Sequence, residues 1–315
     1  MAWALFSQAT YEMSDRVSMT GGLRYTDEAK DLTNTGGVYL LGAFPRVSFY
    51  DYVDRATYDA WTPKISIQTR ATPDAFFYVS ATRGFKSGGF NPSRTEPGRS
   101  YGPEFAWTFE GGVKNTMAGG RVHMNTAVFY TDHKNLQVSS LIRPGIIDIS
   151  NAASATIKGI EIEAAGTASG VHLAGHFSWL DATYGPYLAA GPDFVTHEAE
   201  GHRLNNAPEW SGSGSAIYER SAGQAGMVFV RADVSWQSRV FFTPFNDAIE
   251  TQKPYGLTNL RAAFDPRHGR WEIAVYARNV GNTEYLTGTA NGAPNATTGR
   301  PGEPRQVGTQ FTIRR

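Results

Sequence analysis

From Val17 to Thr26 the chain alternates without a break. Val17, Met19, Gly21, Leu23 and Tyr25 share one parity, and Ser18, Thr20, Gly22, Arg24 and Thr26 the other. Successive side chains of a strand point to opposite faces, so the pattern predicts a β-strand with one apolar and one polar face. The same alternation returns in Phe105, Trp107, Phe109, Gly111 and Val113, and again in Val122, Met124, Thr126, Val128 and Tyr130. It recurs in Val171, Leu173, Gly175, Phe177 and Trp179, and in Val228, Val230, Ala232, Val234 and Trp236. No run of about 18 apolar residues interrupts it, which excludes a transmembrane helix. Transmembrane strands stay open, because only every second residue of such a strand meets lipid.

Turn residues punctuate the alternation. Ser14-Asp15, Pro73-Asp74, Met117 to Gly120, Ser169-Gly170, Ser221 to Gly226 and Asp265 to Gly269 read as tight turns. Between them lie long stretches expected to be irregular: Asp27 to about Arg55, Lys86 to Gly102, Ser139 to Ala155, Gly185 to Pro208, Phe241 to Pro254 and Gly281 to Glu303. About thirteen strands follow from these signals. Connections after odd strands are short and those after even strands are long. Outer-membrane barrels have short periplasmic turns and longer extracellular loops, whereas a soluble sandwich has no reason to sort loop length by end of the sheet. The expected fold is all-β, an antiparallel up-and-down meander. Aromatic residues near strand ends (Tyr25, Tyr130, Tyr184, Trp210, Trp236 and Trp271) are expected to form interfacial girdles.

Composition narrows the function. Lys plus Arg equals Asp plus Glu at 29 each, a balance that argues against a nucleic-acid partner. Cysteine is absent, so neither a disulfide framework nor a thiolate metal site is available. The opening residues Met1 to Gln8 read as a strand and lack the charged and apolar regions of a secretion signal. There is no nucleophile elbow, zinc-protease His pair, Walker loop or dinucleotide fingerprint, and Gly212-Ser213-Gly214-Ser215 has the wrong spacing. His172 and His176 fall on one strand face and read as polar wall residues rather than a metal pair, since no carboxylate or cysteine completes a site.

Several segments carry a family resemblance. They are Gly22-Leu23-Arg24-Tyr25-Thr26, Arg83 to Asn91, and Pro103-Glu104 with Glu110, Gly112 and Lys114. Phe129-Tyr130-Thr131-Asp132 follows with Leu136-Gln137, then Asn151 to Glu161, Gly201 to Trp210, and Ala277-Arg278-Asn279-Val280 with Tyr285. In this order and spacing the chain resembles the C-terminal barrel region of TonB-dependent outer-membrane receptors of the ferric-siderophore type. The resemblance implies that residues 1–315 are part of a 22-stranded transmembrane β-barrel whose plug domain lies outside them. It also implies location in the bacterial outer membrane, in contact with its lipid, after insertion by the barrel-assembly machinery. It implies no catalysis. Extracellular loops would bind a ferric siderophore or related chelate, and the TonB–ExbB–ExbD complex would act through the plug. Iron would arrive with the ligand, so no resident cofactor or metal site is expected. Arg315 stands where the family ends in an aromatic residue.

Arg83, Lys86, Arg94 and Arg99 make one loop basic and could draw in an anionic chelate, or be solvated loop charge. Phe241 and Tyr285 lie in loops and could stack on a ligand or anchor an interface. Arg24, Lys64, Arg70, Glu104, Glu110, Lys114, Glu161, Glu163, Arg231 and Asp233 are expected to face the lumen as wall networks. The rival readings are a passive porin or sugar channel, a barrel lipase needing a paired Ser and His, and a soluble β-protein.

Overall fold

The computed structural model describes residues 1–38, 48–91, 100–143, 146–190, 195–267, 269–293 and 296–314. Thirteen strands form one sheet in chain order. They are β1 (Ala2–Glu12), β2 (Val17–Val38), β3 (Ser48–Thr72), β4 (Ala75–Lys86), β5 (Glu104–Met117), β6 (Val122–Arg143) and β7 (Ile146–Ala168). Next come β8 (Val171–Tyr184), β9 (Trp210–Ser221), β10 (Gly226–Gln237), β11 (Tyr255–Pro266), β12 (Trp271–Arg278) and β13 (Gln306–Ile313). Every neighbouring pair is antiparallel. Ser169 and Gly170 both take positive φ in the two-residue turn between β7 and β8, the twist that a tight hairpin requires.

The register puts the two parities where the alternation predicts. Ile67, Val79, Gly111, Val128, Ile160 and Trp179 follow one another across adjacent strands. So do Val230, Ala262 and Val275. Most of these apolar residues are exposed, as a lipid-facing surface must be. Arg231 and Asp233 stand on the opposite face, joined by a guanidinium–carboxylate pair at 2.8 Å. All ten residues expected to line the lumen share that polar face.

Aromatic rings band the outer face at two heights. Near the long loops, Trp3 packs on Tyr25 at 5.4 Å between centroids and Tyr25 on Trp61 at 4.8 Å. Trp179 and Trp210 meet at 6.2 Å. Near the short turns, Trp271 lies 6.1 Å from Phe264 and 5.9 Å from Phe311. Tyr184 corrects the sequence reading. It points inward and is buried in a cluster with Val138, Ala153, Tyr187 and Ala199.

Two stretches expected to be loops are strand instead. The segments Asp27 to Arg55 and Ser139 to Ala155 belong largely to β2–β3 and β6–β7, whose strands run to 22, 25, 22 and 23 residues. A spanning strand needs only about 9–11 residues, so these hairpins continue as ribbons beyond the bilayer. Outside lipid neither face has to be apolar, and the alternation that marks a strand in sequence disappears. Short two-stranded ladders also organise the loops Gly185 to Pro208 (Leu188–Ala190 with Thr196–Glu198), Phe241 to Pro254 (Val240–Phe241 with Thr251–Gln252) and Gly281 to Glu303 (Leu286–Ala293 with Ala296–Pro301).

Among the described residues no ladder joins β1 to β13. Twelve successive antiparallel steps leave these two strands running in the same sense. A direct seam between them would be parallel, while each keeps an open antiparallel edge.

Candidate functional site

The long-loop end of the polar face is where the family-like segments converge. Gly88 and Gly89 pack so closely that side chains could not replace them. A Cβ on Gly88 would lie 2.0 Å from the Tyr101 carbonyl oxygen and 2.5 Å from the Tyr58 ring. The Tyr58 hydroxyl donates to the Tyr101 carbonyl at 3.1 Å. Lys30, on the β2 ribbon, donates to Ser87 Oγ at 2.8 Å and to the Gly88 carbonyl at 2.7 Å. The hydrogen bond from the Ser87 hydroxyl, followed by the nearby Lys30 ammonium, holds the Glu28 carboxyl below its usual range.

Three side-chain amides fasten this loop to the β6–β7 ribbon. Asn91 Nδ2 donates to the Ile149 carbonyl, and the Ile149 N–H returns a bond to Asn91 Oδ1, both at 2.8 Å. Gln137 Nε2 donates to the carbonyls of Ser87 and Gly102 at 2.9 and 3.0 Å. Asn151 holds both polar groups of Gly102. Glu104 is buried beneath them. It accepts from the Gln137 N–H at 2.7 Å and is paired with Lys86 at 3.1 Å.

A second group fastens Gly201 to Trp210. Arg203 and Asn246 exchange backbone–side-chain bonds at 2.8 and 3.0 Å, and His202 Nδ1 lies 2.8 Å from the Pro244 carbonyl. Tyr184 donates to Asn205 Oδ1 at 3.3 Å. Burial, with a smaller contribution from neighbouring Tyr187, pushes the Tyr184 phenol up to about 12. A third group turns on buried Asn279, in the left-handed region at φ 46°. It donates to the Thr283 and Glu303 carbonyls at 2.9 and 3.0 Å and accepts from the Thr283 N–H at 2.8 Å.

The sequence-derived site residues separate. Lys86 faces inward and is half engaged by Glu104. Arg83 has the opposite parity: it faces outward with Trp107 opposite and its guanidinium 4.3 Å above the Phe105 ring. Arg94 and Arg99 lie outside the described residues. Phe241 sits in its short ladder, where its carbonyl accepts from the Asn206 N–H at 2.9 Å. Tyr285 stacks on Tyr255 at 4.6 Å and 15°. Burial first, then the neighbouring Tyr285, raises the Tyr255 phenol. Sequence reasoning missed the amide clasps of Asn91, Gln137, Asn151 and Asn246. The bonds by which they join separate segments reach partners 35 or more residues away, Ile149, Gly102 and Arg203 among them, and no local pattern marks such pairs.

Lower on the polar face, a recess of about 550 Å³ has a floor of small residues, Ala165, Ala174, Gly175, Gly214 and Ser215. His123, Glu163, His176, Arg231 and Asp233 rim it. His176 and Glu163 stand directly opposite on β8 and β7, and Glu163 accepts weakly from Asn125 at 3.5 Å. Among the described residues no group of three or more His, Cys, Asp or Glu is placed to hold a metal ion.

An antiparallel sheet with an apolar, aromatic-banded outer face, a polar inner face and long loops clasped at one end defines the wall of a transmembrane outer-membrane β-barrel. Residues 1–280 match the family described as TonB dependent receptor-like, beta-barrel, and the chain belongs to that family. The metal-pseudopaline receptor CntO of Pseudomonas aeruginosa is 25% identical over 316 residues, covering 99% of this chain and 40% of the relative. The chain thus spans well under half of that receptor's length. The ferric yersiniabactin uptake receptor FyuA of Yersinia pestis superposes with a TM-score of 0.83 at 21% identity, over 99% of this chain and 45% of that one. The siderophore receptor PiuA of Acinetobacter baumannii gives 0.75 at 15% identity, over 98% and 42%. The family consists of outer-membrane receptors, and this location holds for the chain.

Proposed function

We propose that the chain forms wall strands and extracellular loops of a receptor that imports ferric siderophores or similar metal chelates across the outer membrane. The observation that carries this reading is the family match over residues 1–280. The clasped rim supports it, because a ligand platform must be held in place. The relatives are named for siderophores and metal chelates, which favours energised uptake over a passive channel.

Uptake requires no chemistry on the ligand, so the protein acts as a transporter rather than an enzyme. Iron enters and leaves as part of the chelate and is not a resident cofactor. TonB, driven by ExbB and ExbD, supplies the energy through a plug domain. The barrel-assembly machinery inserts the wall. Lys86 on the rim, with Arg94 and Arg99 from the same stretch of sequence, attracts an anionic chelate, and Phe241 and Tyr285 offer aromatic contacts.

Disrupting the gene in its host and supplying candidate ferric chelates as sole iron source tests this. Radiolabelled iron accumulation should disappear for at least one chelate and be equally absent from a TonB-deficient strain. Accumulation that persists without TonB would return the barrel to the passive-channel reading.

A further inference from the structure

We propose that a recess in the polar wall, below the Asn279 clasp, is an anion site that takes the carboxylates of a chelate on its way into the lumen. It adjoins the recess described above and shares Arg231 and Asp233 with it. The register places Arg231 directly opposite Arg261, and Arg261 opposite Tyr276. Like charges directly opposite destabilise a sheet, and here each is offset by a carboxylate: Arg231 by Asp233 at 2.8 Å, Arg261 by Glu272 at 2.5 Å. Arg278 is the third guanidinium of the recess, whose volume is about 510 Å³. Among the described residues that line it, Asp233 is the one carboxylate.

Arg278 carries the surplus charge. It is the last residue of β12, and its guanidinium lies 5.4 Å from the centre of the Tyr276 ring. That ring lies against the wall over Gly308, where a Cβ would come within 2.6 Å of the phenol oxygen, and it holds Arg278 by its face. Among the described residues no carboxylate pairs with Arg278. The surrounding charges do not cancel it. Glu272 also meets Arg314 at 3.2 Å and Arg314 pairs with Asp265, so Arg261 and Arg314 are matched by two carboxylates. Glu219 of β9 faces His172 at 4.0 Å. Residues 255–314 hold seven Lys or Arg against four Asp or Glu, Glu284 and Glu303 of the loop above included, so the excess is positive. Asn259 Oδ1 accepts from the Asn279 N–H at 2.9 Å, which leaves Asn259 its amide N–H groups to donate. Donors of this kind match carboxylate oxygens, and a guanidinium takes a carboxylate by two parallel bonds. The volume falls among small-molecule sites, about 300–1,000 Å³. The choice of a chelate as occupant rests on the proposed uptake, whereas the anion site does not.

Phenylglyoxal, which modifies arginine, tests the site residue by residue in the intact receptor purified in detergent. Propane-1,2,3-tricarboxylate is the probe and its uncharged triamide the control, and peptide mass spectrometry reads the modification rate of each arginine. The tricarboxylate should slow modification of Arg278 in a saturable way. The triamide should not, and Arg83 on the outer wall should react alike throughout. Asp233→Asn removes the carboxylate of the recess and frees the Arg231 fork, so half-protection of Arg278 should need about tenfold less tricarboxylate. A variant that merely misfolded would lose protection rather than gain it. Protection needs no transport, so its failure and a failure of the uptake reading are told apart. Equal rates with and without the tricarboxylate, or an unchanged half-protection concentration in Asp233→Asn, would overturn the proposal. So would an Arg278 that resists phenylglyoxal before any anion is added, because a carboxylate of the receptor itself would then fill the recess.

Discussion

The side-chain amide of Asn151 brackets the peptide group of Gly102: the Gly102 N–H donates to Asn151 Oδ1 at 2.5 Å and Asn151 Nδ2 donates to the Gly102 carbonyl at 2.8 Å. Nδ2 also reaches the Asn135 carbonyl at 2.9 Å. One side chain thereby satisfies backbone groups of two chain segments that strand pairing leaves over. Asn151→Ala removes these bonds at once and should cost about 1–3 kcal/mol. Hydrogen exchange read by mass spectrometry should show the Gly102 amide losing protection while amides in the centre of β5 keep theirs. Protection at Gly102 equal to wild type would mean that the clasp does not hold the loop.

Two glycines on opposite faces should respond oppositely to alanine. Gly88 has no room for a Cβ beside Tyr101 and Tyr58, whereas Gly21 has nothing within 4 Å. Overpacking costs typically about 1–3 kcal/mol, so Gly88→Ala should lower the unfolding midpoint in urea and Gly21→Ala should leave it unchanged or raise it. Equal midpoints for the two variants would refute the close packing at Gly88.

Facing can be tested by introduced charge. Val128 is exposed on the outer face, midway between the aromatic bands, and Val128→Lys should cost about 2–4 kcal/mol in a bilayer. Ser213 lies on the other face in the polar recess, and Ser213→Lys should cost far less. Unfolding in lipid vesicles measures both, and a reversed order would mean that the register is shifted by one residue.

Tyr184 sets an alkaline limit on the clasped rim. Its phenol is raised from 10.0 to about 12, so the folded state favours the protonated form more than the unfolded chain does. The stability this gives is complete below pH 10 and is lost as pH rises towards about 12. Difference titration of tyrosinate absorbance between wild type and Tyr184→Phe isolates this group from the other tyrosines. A difference midpoint near 10 would show that the phenol is solvated.

Arg83 and Lys86 take opposite faces of β4, and ligand association reads the division. Replacing Lys86, Arg94 and Arg99 together by Gln in the intact receptor should slow association of an anionic chelate and flatten its salt dependence. Steering of this kind is screened within about 10 Å at 0.1 M ionic strength. Arg83→Gln should change neither. Stopped-flow association at low and high salt checks both, and an unaltered slope in the triple variant would return those residues to solvated loop charge.

The alternating stretches alone determined which side of the wall each residue takes. Val230 faces lipid and Arg231 the lumen because a period of two in hydrophobicity is the same thing as a two-faced strand in a bilayer. Turn residues likewise determined the hairpins and the sorting of loop lengths. Tertiary structure decided what lies beyond the membrane. There water bathes both faces of a strand, so the β2–β3 and β6–β7 ribbons carry no alternation and read as loop. Register decided the rest. Arg83 and Lys86 sit three positions apart in one motif, yet an odd separation on a strand sends them to opposite faces, one to the outer wall and one to the rim. Asn151 and Gly102 meet only because paired strands bring residues 49 positions apart to one height.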